Sequence, residues 1–323
     1  MHTFILTLTA LVALSINTPC RAATSIYPNK PIRLVVPVSP GGGSDLVART
    51  LAFKIGEILG QSVIVDNRPG ASGNIGADIV AKSLPDGYTI IIETPVLVTA
   101  PILYKRLPYD PIKSFAPIAL TARVPHVLVA NTKLPALSVS DLVGLAKSRP
   151  GTLNYSSAGK GSPLHLAAEL FKSRAHVDIV HVAYAGGGPA NAAVIGGQVD
   201  ITFGNISAVI PHIRTGRLKA LGITSIKRSP AAPDIPTIAE QGLPDYDFSS
   251  WFGVLAPAGT SRSIIARLNS AIVTTVGLSE VKARLETDGT ELVTCSPEEF
   301  EQYLKSEKEK WFRVLNEAGI TPD

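Results

Sequence analysis

The sequence predicts an α/β fold arranged as two lobes, and three observations point there. Short apolar, β-branched runs alternate with stretches of helical period, the rhythm that places helices on the faces of a parallel sheet. Small-residue loops follow several of the predicted strands, at the edge where open α/β sheets bind ligands. One such loop in the first half, Pro37-Val38-Ser39-Pro40-Gly41-Gly42-Gly43, is echoed in the second by Tyr184-Ala185-Gly186-Gly187-Gly188-Pro189. Paired loops of this kind are what a cleft between lobes requires, although the residues between them do not align as a repeat.

Pro28 and Pro31 set an extended entry into the first strand, residues 32–36. The glycines at 41, 42 and 43 then free the backbone to turn and leave its amides uncovered. Ser44 or Asp45 caps a helix with Leu46, Val47, Leu51, Ile55 and Leu59 at helical spacing, and Gly60 closes it. Strand, loop and helix start aim unpaired N–H groups and the positive end of a helix dipole at one point, which suits an anion. A second strand at 62–65 leads to Asn67-Arg68-Pro69-Gly70-Ala71-Ser72-Gly73, a turn that opens a helix carrying Ile75, Ile79 and Val80. Residues 88–92 form the next strand, ending at Glu93-Thr94-Pro95.

A proline-rich connection covers 103–117, and 118–122 and 127–130 read as two strands near a lobe boundary. Ser138 and Asp141 start a helix that runs to Lys147. A strand at 153–156 precedes Ser157-Ala158-Gly159-Lys160-Gly161-Ser162, where Ser162 is an N-cap and Pro163 the first helical residue. The strand at 178–182 enters the second glycine loop, with Pro189 just inside a helix. Another strand, 200–203, ends at Gly204-Asn205, followed by a helix over 207–215 and a strand over 218–224. Beyond a proline-punctuated passage, 251–256 is a strand and Pro257-Ala258-Gly259-Thr260 begins a helix. The last helix opens on the capping box Ser296-Pro297-Glu298-Glu299 and buries Phe300, Tyr303, Leu304, Trp311 and Leu315, a core stripe ended by Gly319.

At 323 residues the chain is long enough for two domains, and 45% hydrophobic with 17% charged residues describes a globular protein. The net charge of +4 is dispersed, with no basic cluster interleaved with aromatics, so nucleic acid is not an expected partner. Residues 4–16 are almost wholly apolar, the length of a signal-peptide core and short for a bilayer span, and Ala22 and Ala23 follow. This predicts export, with 1–22 as a signal peptide and a periplasmic mature chain. Lipidation at Cys20 fits poorly with Asn17-Thr18-Pro19 before it. Cys295 is then the one remaining cysteine, so neither a disulfide nor a zinc site is expected.

The glycine loops match no nucleotide motif. Gly41-Gly42-Gly43-Ser44-Asp45 lacks the dinucleotide spacing, and Gly159-Lys160-Gly161-Ser162 has the wrong residue after its lysine for a phosphate loop. Gly70-Ala71-Ser72-Gly73 misses the nucleophile-elbow spacing. The six histidines form no catalytic set, with His176 and His181 flanking one strand on opposite faces and His165 packed in a first helical turn. No catalytic residue, cofactor or metal is expected, and an enzyme on the same two-lobed plan stands as the rival reading.

The chain resembles the substrate-binding receptors of tripartite tricarboxylate transporters, the Bug receptor family. Ordered matches run through nearly all of it, among them Val36-Pro37 with Gly41-Gly42-Gly43 and Asp45, Asn67-Arg68-Pro69-Gly70 with Gly73-Asn74-Ile75-Gly76, Pro85-Asp86-Gly87-Tyr88, Leu107-Pro108-Tyr109-Asp110, Asn154-Tyr155-Ser156-Ser157 with His165-Leu166, Gly197-Gln198-Val199-Asp200 and Trp251-Phe252-Gly253. The resemblance implies a type II periplasmic-binding-protein fold, two α/β lobes with a ligand cleft between them. The first lobe would comprise 23–122 and 251–323, the second 123–250, and the crossings between them would lie near 116–130 and 249–256.

The resemblance also implies a monomeric receptor that holds a small organic carboxylate by backbone amides and hydroxyls and passes it to membrane permease subunits or a membrane sensor. Carried over, the binding residues are Ser39, Gly42, Gly43, Ser44 and Asp45; Gly70, Ala71, Ser72 and Gly73; and, across the cleft, Ser157, Ala158, Gly159, Ser162, Tyr184 and Asn205. Three positions depart from the family pattern. Val38 replaces a common phenylalanine and Ala183 a common proline. Gly204 replaces an acidic residue suited to an ammonium group, which points to a ligand without an amine.

Overall fold

The computed structural model describes residues 27–41, 43–286 and 289–322, so the expected signal peptide, Cys20 and Gly42 lie outside the described residues. Ten strands and ten α-helices follow in chain order: β1 (Ile32–Val36), α1 (Gly43–Leu59), β2 (Val63–Asn67), α2 (Asn74–Ala81), β3 (Thr89–Glu93), α3 (Val96–Leu103), β4 (Phe115–Ala130), α4 (Val139–Ser148), β5 (Asn154–Ser157), α5 (Pro163–Ala175), β6 (Val180–Ala183), α6 (Gly187–Ile195), β7 (Ile201–Asn205), α7 (Ile206–Arg214), β8 (Lys219–Ile223), β9 (Ser249–Pro257), α8 (Arg262–Gly277), α9 (Ser279–Glu286), β10 (Glu291–Leu292) and α10 (Pro297–Glu317) among the described residues.

The sheet runs β2-β1-β3-β9-β4-β7-β5-β6. β1 pairs in parallel with β2 and β3, and β5 in parallel with β6 and β7, so each half is a small parallel sheet. Between the halves lie two antiparallel strands: β9 pairs with β3, and β4 pairs with β9 over Phe115–Pro125 and with β7 over His126–Ala130. β8 and β10 pair with β4 on its other edges. One strand, β4, therefore belongs to both halves.

Side chains divide between the two faces with the period of two that a strand imposes. Val35 and Ile91 enter one core cluster, whereas Leu34, Val36, Ile90 and Ile92 enter the other. The first cluster holds Phe300 and Trp311 of α10, both fully buried, and Trp251 meets Phe300 edge-on at 6.0 Å. The capping box forms as its spacing predicts, Ser296 Oγ accepting the Glu299 N–H and Glu299 accepting the Ser296 N–H.

Three features depart from the sequence expectations. The segments 118–122 and 127–130 are not two strands but parts of one 16-residue strand. Proline lacks an N–H, yet the chain passes Pro117 through a register shift against β9, and Pro125 sits at the last β9 pair, Pro125↔Ser249. Helix α3 has no counterpart in the expected elements, because 96–103 is apolar nearly all round and carries Pro101. His176 does not flank a strand: it ends α5 in the left-handed region at φ 52°.

Candidate functional site

The first-half loops grow from the carboxyl ends of β1 and β2. Asp45, in the first turn of α1, is 4% exposed and accepts the Gly41 N–H, the Arg49 guanidinium and the Asn67 amide, each at 2.9 Å. Hydrogen bonding to Arg49, reinforced by Gly41 and Asn67, lowers its carboxyl to about 2. Asn67 also donates to Val38 O at 3.1 Å, tying the two loops together. Asp45 is thus a brace whose charge Arg49 neutralises.

The second loop carries local strain. Ala71 and Ser72 take left-handed φ values of 46° and 54°, uncommon for residues with a side chain. Asn74 holds the turn, donating to Ala71 O at 2.7 Å and accepting the Tyr109 hydroxyl at 2.5 Å. Tyr104, just past α3, donates to Ser72 Oγ at 2.8 Å. Gly76 closes the packing beneath, since a Cβ there would lie 2.9 Å from Pro37 Cβ.

In the second half, Ser157 ends β5 fully buried, and its hydroxyl accepts the Gly159 N–H at 3.0 Å. Gly159 and Gly161 have positive φ, 109° and 80°, which lets the loop double back into α5. Ser162 caps α5 by accepting the His165 N–H, as the Ser-Pro pair predicts. Tyr184 donates its N–H to Ser157 O at 3.0 Å, joining the β6 loop to the β5 loop. Asn205 ends β7 and caps α7 by accepting the Ser207 N–H at 3.1 Å.

Strand direction makes these two sets face each other. Because β4 is antiparallel to β9, and β9 to β3, β4 leaves the first half at the carboxyl edge of β1, β2 and β3. It enters the second half paired His126↔Asn205, at the carboxyl edge of β7. Glu93 lies opposite Gly253, which lies opposite Leu120. The two carboxyl edges are therefore separated by the stretch from Leu120 to His126, roughly 20 Å of strand. A direct contact bridges the gap, since a Cβ on Gly161 would stand 2.4 Å from Leu103 Cδ1 at the end of α3.

Ser39, Gly43, Gly70, Ala71 and Ser72 are exposed, Ser44, Ala158, Gly159, Ser162, Tyr184 and Asn205 half-buried, and Asp45, Gly73 and Ser157 buried. None of four surface cavities, the largest about 710 Å³, is lined by these residues. No group of three or more His, Cys, Asp or Glu residues among the described residues is arranged to hold a metal.

Two features near the site, a buried glutamate and a histidine pair, were not among the site residues expected from the sequence. Glu93, at the carboxyl end of β3, is 3% exposed, and one oxygen accepts the Thr94 N–H at 3.3 Å while the other has no hydrogen-bond partner. Burial pushes its carboxyl up to about 8. His165 and His181, set apart in the sequence reading, stand with ring centres 4.5 Å apart beneath the 157–162 loop. β6 pairs His181 with Tyr155 of β5, and that register is set by tertiary packing that no local pattern in the sequence signals.

Comparison with known proteins places this architecture. The Tripartite tricarboxylate transporter family receptor model matches residues 47–320. Protein BugT of Bordetella pertussis is 38% identical over 298 residues, covering 91% of this chain and 90% of BugT. The R. palustris protein Rpa4515, solved with adipate, superposes with a TM-score of 0.81 at 39% identity, covering 92% of this chain and all of that one (100%). MatC from Rhodopseudomonas palustris, solved with bound malate, gives a TM-score of 0.77 at 33% identity over 90% of this chain and 100% of MatC. With its two parallel half-sheets joined through β4 and β9, the chain belongs to the receptor family of the tripartite tricarboxylate transporters.

Proposed function

We propose that this chain is an extracytoplasmic solute receptor that captures a small organic carboxylate between its lobes and releases it intact. The supporting observation is the facing of the two carboxyl edges across β4 and β9, each of which carries a small-residue turn leading into a helix. The relatives solved with adipate and malate support the ligand class. Residues 1–22 act as the signal peptide, the mature chain works in the periplasm as a monomer, and membrane permease subunits receive the ligand.

The energies suffice without a cation in the site. A helix terminus contributes about 0.3–1 kcal/mol when exposed and up to ~2 when partly buried. Each charge-assisted hydrogen bond adds roughly 1.5–3 kcal/mol. A few of these, less the cost of closing the lobes, reach the ~8 kcal/mol of a micromolar complex. The ligand carries no amine in this reading. Gly204 offers no acidic partner, and a Cβ there would lie 2.3 Å from Val209 Cγ1.

Isothermal titration with succinate, malate and adipate, set against aspartate and glutamate, tests the reading. The expected result is 1:1 binding of at least one amine-free diacid, tighter than its amino counterpart, with the acid recovered unchanged by mass spectrometry. Turnover of the acid defeats the receptor reading, and tighter binding of aspartate than succinate defeats the amine-free one.

A further inference from the structure

The 157–162 loop rests on two imidazoles that come from different elements. His165, in the first turn of α5 and 3% exposed, accepts the Gly161 N–H at Nδ1 over 3.3 Å. His181, on β6, places Nε2 2.6 Å from Ser157 Oγ. The same Ser157 hydroxyl accepts the Gly159 N–H at 3.0 Å, so the two rings fix both glycines of the loop, one directly and one through serine.

A serine hydroxyl this close to an imidazole has the spacing of a nucleophile and its base. Burial argues against that role. Ser157 is fully buried and its hydroxyl is already engaged with Gly159 of its own loop. The pair fits a brace and not a reaction centre.

The surroundings keep both rings neutral. Tyr155 stacks on His181 at 4.9 Å and donates its hydroxyl to Glu169 at 2.5 Å, and Lys172 holds the same carboxylate oxygen at 2.9 Å. The charged groups facing the pair are thus Glu169 and Lys172 from α5, with Lys160 from the loop itself. Burial foremost, then His181, Lys172 and Lys160, holds His165 down at about 3. Burial also lowers His181, against an opposing pull from Glu169. A proton on His165 Nδ1 would oppose the N–H of Gly161 and break that bond.

We propose that His165 and His181 are positioning residues that hold the 157–162 loop in its carboxylate-gripping form, His165 as acceptor for Gly161 and His181 as partner of the Ser157 hydroxyl. This rests on the receptor reading above and deepens it. Neither ring touches the ligand. Their effect is on where the loop amides point.

The test compares His165→Phe and His181→Phe, which keep a ring and remove the nitrogens, with His165→Asn and His181→Gln, whose amides reach the positions of Nδ1 and Nε2. Adipate and malate serve as probes in isothermal titration on the mature chain, and amide hydrogen exchange at Gly159 and Gly161 is read without ligand. The phenylalanine variants are expected to lose roughly tenfold or more in affinity, with faster exchange at Gly161 in His165→Phe and at Gly159 in His181→Phe. The amide variants are expected to retain affinity and protection within roughly threefold.

Wild-type affinity in both phenylalanine variants overturns the proposal, as does equal loss in the phenylalanine and amide variants. If the wild type binds neither probe, the receptor reading loses its support. The exchange data then decide the brace alone: unchanged protection at Gly159 and Gly161 in the phenylalanine variants rejects it.

Discussion

Single buried groups set how this protein responds to pH. His126, where β4 crosses between the halves, is 2% exposed, donates from Nδ1 to Phe203 O at 3.0 Å and accepts the Ser250 hydroxyl at Nε2 over 2.9 Å. Burial holds His126 at about 4 and His165 at about 3, both below the ordinary 6.5, so the unfolded chain binds more protons in that range. The stability they confer is complete above pH 6.5 and is lost as pH falls toward those values. Glu93 works in the opposite sense, because its folded value of about 8 exceeds the ordinary 4.5. Its contribution is present below pH 4.5 and is lost as pH rises through 8. Between 4.5 and 6.5 the two histidines outweigh the one glutamate, so the melting temperature is expected to peak near pH 6.5. Each uncompensated proton changes stability by about 1.4 kcal/mol per pH unit. Glu93→Gln should flatten the alkaline side of that curve in a thermal melt series from pH 4 to 9. An unchanged alkaline slope would show that Glu93 does not titrate as its burial requires.

At the scale of elements, the site depends on close backbone packing more than on long side chains. Helix α2 brings the strained 70–73 turn against β1, and Gly76 is the point of approach: a Cβ there would lie 2.9 Å from Pro37 Cβ and 3.2 Å from Arg68 O. Gly76→Ala is expected to cost about 1–3 kcal/mol in urea unfolding. Gly144→Ala in α4, where nothing lies within 4 Å of the added carbon, should instead gain roughly 0.5–1 kcal/mol. Equal effects at the two sites would remove the packing argument. These elements were legible to different degrees. The Ser162-Pro163 start of α5 and the Ser296 capping box were readable because each is a local device with its own residue signature, whereas α1 begins at Gly43, so Ser44 and Asp45 lie inside its first turn and not at its cap. Helix α3 was not readable, since an all-apolar run with Pro101 has no helical face to detect. The unity of β4 was hidden from the residue pattern, because its two ends take different partners and its prolines look like breaks, although the family resemblance implied a crossing over 116–130. The pairing of His165 with His181 is a tertiary fact, set by how α5 packs on β5 and β6.

At the scale of the whole molecule, the claim is that two half-sheets turn their carboxyl edges toward each other and share a ligand. The direction of β4 and β9 turns the two carboxyl edges toward each other; the shared ligand is the proposal. The echo of glycine loops in the two halves already pointed to it in the sequence. What the sequence left open was how the edges meet, which the contact of Leu103 with Gly161 now shows. The most direct measurement is an NMR titration of the isotope-labelled mature chain with adipate, following backbone amide shifts. The account predicts that amides in 70–73 and in 157–162 move together, with one shared half-saturation concentration. Movement confined to one of the two loops, or confined to residues away from both, would contradict it.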